Sequence, residues 1–265
     1  MTERVLAGKV ALVTGAGRGL GRAFAEQLAA MGAAVAMHGM REAGPAEYGE
    51  GTTLTDAVHE VGARAGVATL RCLGDLTRAE DVARVVAEAE AGLGPLDILV
   101  HNAGGDIAAA GGKPDPNDAV MIKQEDVRAV LDRNLLSTIL VCQEAARRMM
   151  ERRSGRILTI SSTAAFKGRA QGVIYGTAKA AVVHYTRCLA DQLRPFAINV
   201  NSLAPGGFMG TRPVDPARLA EDGTLDRIAT VDEVARVALF FAGPLGAFVS
   251  GQVLRVDGGA QCWPG

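Results

Sequence analysis

The chain has 265 residues, 48% apolar and 22% charged, with a formal net charge of −1. That composition supports a sizeable core and excludes global disorder. A near-neutral chain has no field to gather nucleic acid or an anionic membrane, so neither is an expected partner. The four cysteines, Cys72, Cys142, Cys188 and Cys262, show no metal-ligand spacing. With no signal peptide and no run of about 18 apolar residues to span a bilayer, a reduced, cytoplasmic setting is the expectation.

Short apolar runs alternate with helical periodicity along the chain. Lys9–Thr14 predicts a strand, followed by a helix over Gly19–Met31 with Leu20, Ala23, Phe24, Leu28 and Met31 at helical spacing. A strand at Ala34–His38 leads into a polar stretch, Arg41–Gly51, and then a helix over Leu54–Ala65. Further strands are predicted at Val67–Leu73, Leu96–Val100, Arg156–Ile160, Ile198–Leu203 and Val253–Val256. Helices are predicted at Arg78–Ala91, Gln124–Arg153, Val173–Leu193 and Val231–Phe241. Strands that are apolar throughout, rather than alternating, are those buried on both faces. The expected fold is therefore α/β: one Rossmann-like, doubly wound parallel sheet of about seven strands, in a single domain spanning 1–265. Gly104–Asn117 and Pro205–Pro216 stand out as Gly/Pro-rich loops.

The first strand ends in Thr14-Gly15-Ala16-Gly17-Arg18-Gly19-Leu20-Gly21. A strand that turns tightly into a helix whose first amides face a pyrophosphate needs glycines, because side chains would block the approach of the backbone. The pattern is TGxxxGxG, and it resembles the cofactor turn of the short-chain dehydrogenase/reductase family, in its single-domain branch that includes 3-oxoacyl carrier protein reductases. The likeness runs from about Val5 to Gly259 through a series of ordered motifs. Asp75-Leu76 follows the third strand, where the family has an acid near the adenine; an Asp there is also the common N-cap of a helix. His101-Asn102-Ala103-Gly104 stands where the family has NNAG, with His in place of the first Asn. Asn134 matches the family's helical Asn. Tyr175 and Lys179 match YxxxK, and Ser162 lies thirteen positions before the tyrosine, with Ser161 as the adjacent competitor. Pro205-Gly206 follows the sixth strand.

The resemblance implies a nicotinamide-dependent oxidoreductase that moves a hydride between the cofactor and a small carbonyl or alcohol substrate. Its catalytic set would be Asn134, Ser162, Tyr175 and Lys179. Positions i and i+4 share a helix face, so Lys179 would sit beside Tyr175 and favour its phenolate. Tyr175 would then serve as general acid or base, and Ser162 would hold the developing oxyanion. Lys179 is also implied at the nicotinamide ribose, and Asn134 at a relay water. The implied cofactor contacts are Gly15, Gly17, Arg18, Gly19, Leu20, Gly39, Arg41, Asp75, Leu76, Asn102, Ala103, Gly104, Tyr175, Lys179, Pro205, Gly206 and Thr211. Thr211 is one position beyond the family's usual threonine.

Gly39 occupies the end of the second strand, where NAD-preferring relatives place Asp. With Arg18 and Arg41 nearby, NADP(H) is the expected cofactor, and NAD(H) the alternative. Two segments, Arg41–Thr53 and Gly105–Glu125, are longer than in compact relatives, and the substrate lid, about 205–226, is short. Asp106, Asp115 and Asp118 are loop acids, and no metal is expected. A non-catalytic dinucleotide sensor, and an epimerase or dehydratase on the same scaffold, are the competing functions. The resemblance further implies a homotetramer, or a dimer.

Overall fold

The computed structural model of the chain describes residues 4–49, 51, 53–207, 224–225 and 227–262. Among the described residues, seven strands form one sheet: β1 (Val10–Thr14), β2 (Ala34–Gly39), β3 (Thr69–Leu73), β4 (Ile98–His101), β5 (Gly155–Ile160), β6 (Ile198–Pro205) and β7 (Val253–Val256). Their order is β3-β2-β1-β4-β5-β6-β7, and every neighbouring pair is parallel. The helices are α1 (Gly19–Ala30), α2 (Leu54–Ala65), α3 (Ala79–Leu93), α4 (Gln124–Leu131), α5 (Ser137–Arg152), α6 (Val173–Leu193) and α7 (Val231–Ala242).

Alternate strand residues face opposite layers. Ala11, Val13, Val35 and Met37 pack with α1, α2 and α7, whereas Leu12 and Ala36 pack with α3, α5 and α6. Both faces are thus covered, which is why the strands read as unbroken apolar runs. No helix among the described residues is long and apolar enough to cross a membrane.

The predicted strands and helices are present, with ends shifted by one or two residues. One helix differs in kind. The stretch predicted as continuous from Gln124 to Arg153 is interrupted at Asp132–Leu136 by a wider, π-type turn that joins α4 to α5. Such a bulge re-aims one residue without ending the helix, and here it directs Asn134 into the interior, fully buried.

The strand order reverses between β1 and β4. In sheets of this type the crevice lies outside the carboxyl ends of the strands, at that reversal. The ends of β1, β2, β4, β5 and β6 carry Gly15, Gly39, Asn102, Ser161-Ser162 and Gly206, respectively, directly at or after their last residues.

Candidate active site

The glycine turn follows β1 as the sequence predicts, and its glycines are required by close approach. A Cβ on Gly21 would lie 2.0 Å from the Gly15 carbonyl oxygen, and one on Gly15, whose φ is +63°, would lie 3.1 Å from the Ala103 Cα. Arg18, which precedes α1, makes no capping bond with its side chain, and the first turn of α1 carries no acid. Acids occupy the first turns of α2, α3, α4 and α7, whereas α5 and α6, like α1, have none. The positive end of α1 is therefore left without a carboxylate, which fits an anionic pyrophosphate. Leu20 is buried beneath the turn.

At the β4 end, Thr14 Oγ1 accepts the amides of Asn102 (3.0 Å) and Ala103 (3.1 Å), and Asn102 Nδ2 donates to the Gly15 carbonyl (3.3 Å). These bonds clamp the HNAG segment against the glycine turn. His38, on β2, supports the turn from the other side. It accepts the Gly15 amide on Nδ1 (3.4 Å) and donates from Nε2 to the Gly74 carbonyl (3.0 Å). Burial pulls its pKa down to about 4, against a smaller opposing pull from the Gly74 carbonyl.

The stretch between β2 and α2 packs against the glycine turn. Its Pro45 is buried, and a Cβ on Gly17 would lie 3.1 Å from Pro45 Cγ and 3.2 Å from Leu54 Cδ1. A Cβ on Gly39 would lie 3.0 Å from Leu54 Cδ2. Leu54 thus packs against both glycines. Arg41 forms an ion pair with Glu47 at 3.2 Å. Asp75 is not the N-cap of α3, which is Arg78; its Oδ1 accepts both the amide (3.0 Å) and the hydroxyl (2.8 Å) of Thr77. The neighbouring Leu76 is buried.

Tyr175 and Lys179 lie one turn apart on α6. Lys179 Nζ sits 5.6 Å from the centre of the Tyr175 ring and donates to the Ile160 carbonyl at 2.9 Å. Only 4% of Lys179 is exposed, and burial lowers its pKa to about 8. Ser162, at the end of β5, is half-buried, and its Oγ accepts the Ala164 amide at 3.1 Å, which leaves its own proton to donate. Ser161 is buried and donates to the Lys179 carbonyl at 2.9 Å. The adjacent serines therefore play different parts. Ser161 ties β5 to α6, and Ser162 caps the short turn Thr163–Ala165 that follows β5.

Asn134 is held at three points. Its Nδ2 donates to the carbonyls of Gly105 (2.9 Å) and Val130 (2.8 Å), and its Oδ1 accepts the Gly105 amide (3.0 Å). Both amide hydrogens are occupied, so the side chain has no donor left for a water. The long segment after Gly104 is anchored as well. Asn117 donates to Asp106 at 2.8 Å, and the Asn117 carbonyl accepts the amide of Gly172, the residue before α6, at 2.9 Å. Pro205 ends β6, and the Gly206 amide donates to the Val256 carbonyl at 2.9 Å. Thr211 and most of the expected lid fall outside the described residues.

Sequence reasoning did not anticipate the support that His38 gives to the turn, the closure by Pro45, or the bonds that His101 makes to Thr14 and Ser137. His38 and His101 each follow an apolar strand run, a position where a buried polar residue has to find partners.

A family model described as short chain dehydrogenase matches residues 9–221. A cyclohexanol dehydrogenase from Rhodococcus sp. (strain TK6) is 38% identical over 275 residues, covering 98% of this chain and 98% of that protein. A 3-oxoacyl-[acyl-carrier-protein] reductase from Aquifex aeolicus (strain VF5) is 33% identical over 265 residues, covering 97% and 99%. Among solved structures, a 7α-hydroxysteroid dehydrogenase complexed with NADH and 7-oxo glycochenodeoxycholic acid superposes with a TM-score of 0.82 at 29% identity, covering 97% of this chain and 96% of that one. The chain belongs to the short-chain dehydrogenase/reductase family, oxidoreductases that act on alcohol and carbonyl groups with nicotinamide cofactors.

Proposed function

We propose that this chain interconverts a secondary alcohol on an alicyclic ring and the corresponding ketone, with Tyr175 as the proton donor and acceptor. The observation that carries this reading is the buried Lys179 ammonium 5.6 Å from the Tyr175 ring. A cation held in a low-dielectric site favours phenolate and makes tyrosine competent as an acid and base near neutral pH. The bound cofactor supplies or accepts the hydride. Tyr175 gives its proton to the carbonyl oxygen in reduction and takes it from the hydroxyl in oxidation. Ser162 donates a hydrogen bond to the same oxygen as charge builds on it. Lys179 positions the nicotinamide ribose, and Asn134 holds the Gly104-Gly105 backbone against the site. The ring preference rests on the cyclohexanol dehydrogenase relative and the hydroxysteroid dehydrogenase neighbour.

The glycine turn, Asn102-Ala103-Gly104, Asp75, Leu76, Pro205 and Gly206 are the proposed cofactor contacts. NADP(H) is the proposed preference, with NAD(H) as the alternative. Gly39 presents no carboxylate to repel a 2′-phosphate, and Arg18 lies in the turn itself. Arg41, held by Glu47 in an exposed ion pair, is the second proposed contact. The protein is further proposed to act as one catalytic domain, in the cytoplasm, as a homotetramer or dimer. Exposed apolar side chains on and beside the last strand, Leu245, Phe248 and Leu254, support self-association. A monomeric mass at micromolar concentration would count against it.

The test is turnover of cyclohexanol and cyclohexanone with each nicotinamide cofactor, alongside an open-chain 3-oxoacyl thioester. Ring turnover at least tenfold better than open-chain turnover is expected. The reverse would overturn the ring preference and leave the class of reaction standing.

A further inference from the structure

His101 stands where the family pattern has asparagine, and its imidazole is 2% exposed. It lies at the end of β4, in register with Thr14 of β1. The hydrogen bonds around it define a single direction. Thr14 Oγ1 lies 3.0 Å from His101 Nδ1 and also accepts two backbone amides, those of Asn102 and Ala103. A hydroxyl oxygen has two lone pairs and one proton. With both lone pairs taken, Thr14 must donate to Nδ1, so Nδ1 carries no hydrogen. The neutral ring then carries its proton on Nε2, which faces Ser137 Oγ at 3.4 Å. Ser137 in turn donates to the Arg133 carbonyl at 2.7 Å. Arg133 immediately precedes Asn134 inside the π-type turn.

We propose that His101 is a positioning residue that couples the glycine turn beneath the cofactor to the helical bulge that carries Asn134. One ring nitrogen holds Thr14, and through it the Asn102-Ala103 backbone at the cofactor. The other braces Ser137 and the bulge. The bulge in turn pins Gly105 by both its amide and its carbonyl through Asn134. An asparagine is too short to span both contacts; only a side chain with acceptor and donor on opposite sides of a ring does so. The ring must also stay neutral, and the site enforces this: burial, then the charge of Lys179, depresses its pKa to about 3. A second cation there would compete with Lys179 for the little solvation this interior offers. This inference rests on the oxidoreductase reading above.

The two arms can be cut separately. In His101→Asn the amide oxygen overlies Nδ1, so the Thr14 contact survives and the Ser137 contact is lost. In His101→Gln the amide nitrogen overlies Nε2, so the pattern reverses. The measurements are the cofactor Kd by calorimetry and kcat at saturating cofactor and substrate, with the thermal midpoint as a check on folding. His101→Asn is expected to keep the cofactor Kd within about twofold and to lower kcat about tenfold or more, as expected when a reacting constellation loosens. His101→Gln is expected to weaken the cofactor at least fivefold. Ser137→Ala, which also loses the Arg133 bond, should lower kcat at least as much as His101→Asn, and the double variant should be no worse than Ser137→Ala, because the His101–Ser137 contact is already gone in it. Kd and kcat falling together in both variants, in step with the thermal midpoint, would reduce His101 to core packing and overturn the proposal. Unchanged kcat in His101→Asn and Ser137→Ala would also overturn it. An inactive wild-type chain that still binds the cofactor would instead count against the oxidoreductase reading.

Discussion

Gly104 and Asn134 meet so closely that a Cβ on the glycine would lie 2.7 Å from Asn134 Oδ1, at a backbone φ of +148°. Backbone geometry and space both exclude a side chain at the point where HNAG turns toward Asn134. Gly104→Ala is therefore expected to destabilise the chain by about 1–3 kcal/mol and to lower kcat at least tenfold by displacing Asn134. Denaturation midpoints and turnover of the purified variant check both effects. Wild-type kcat in that variant would show that Asn134 can move without consequence.

Lys179 is a buried cation whose pKa burial has lowered to about 8. Below that pH its ammonium is available to the ribose hydroxyls; above it the charge is lost. The cofactor Kd is expected to rise as pH passes about 8, and Lys179→Met should bind the cofactor more weakly at pH 7 without the pH-dependent step. The sign for stability is opposite. The unfolded chain holds this proton up to the ordinary lysine pKa of about 10.5, so folding stability should gain between pH 8 and that value. Calorimetric titrations across this range test the binding half, and a Kd that is flat with pH would contradict it.

His38 and His101 are both buried as neutral rings, with pKa values held down to about 4 and about 3. Their folded pKa values lie below the unfolded value of about 6.5. The stability linked to them is complete above that unfolded value and is lost as pH falls toward the folded values, at up to about 1.4 kcal/mol per pH unit for each ring. The thermal midpoint is expected to fall steadily from pH 6.5 to pH 4. His38→Gln should flatten part of that slope. An identical slope in the variant would remove His38 from the account.

Arg18 and Arg41 are the proposed partners of a cofactor 2′-phosphate. Replacing both with Ala should raise the NADP(H) Kd about tenfold or more and leave NAD(H) within about twofold. Equal effects on both cofactors would refute the phosphate role.

Much of this architecture is legible along the chain, because the signals are local. Tyr175 and Lys179 share a helix face through a four-residue spacing, and the glycine turn announces itself by needing three glycines within seven residues, at 15, 19 and 21. What is not legible depends on contacts between distant segments. The π-type turn at Asp132–Leu136 interrupts a helical period that looks continuous, and its anchor is Gly105, 29 residues earlier. The absence of a carboxylate at Gly39 reads as cofactor selectivity in the sequence. In the fold the same glycine also packs against the Leu54 side chain. Ser161 and Ser162 differ by one position, and only the pairing of β5 with α6 shows that Ser161 Oγ is bonded to the Lys179 backbone.

Tyr175 is the proposed proton donor and acceptor. That role is tested most directly by comparing the wild-type chain with Tyr175→Phe, following reduced nicotinamide by its absorbance while cofactor affinity is measured separately. The account predicts that the variant binds the cofactor within a few-fold of wild type and loses turnover by roughly 10²–10⁴-fold, the usual contribution of a positioned acid or base. Turnover within a few-fold of wild type would contradict it.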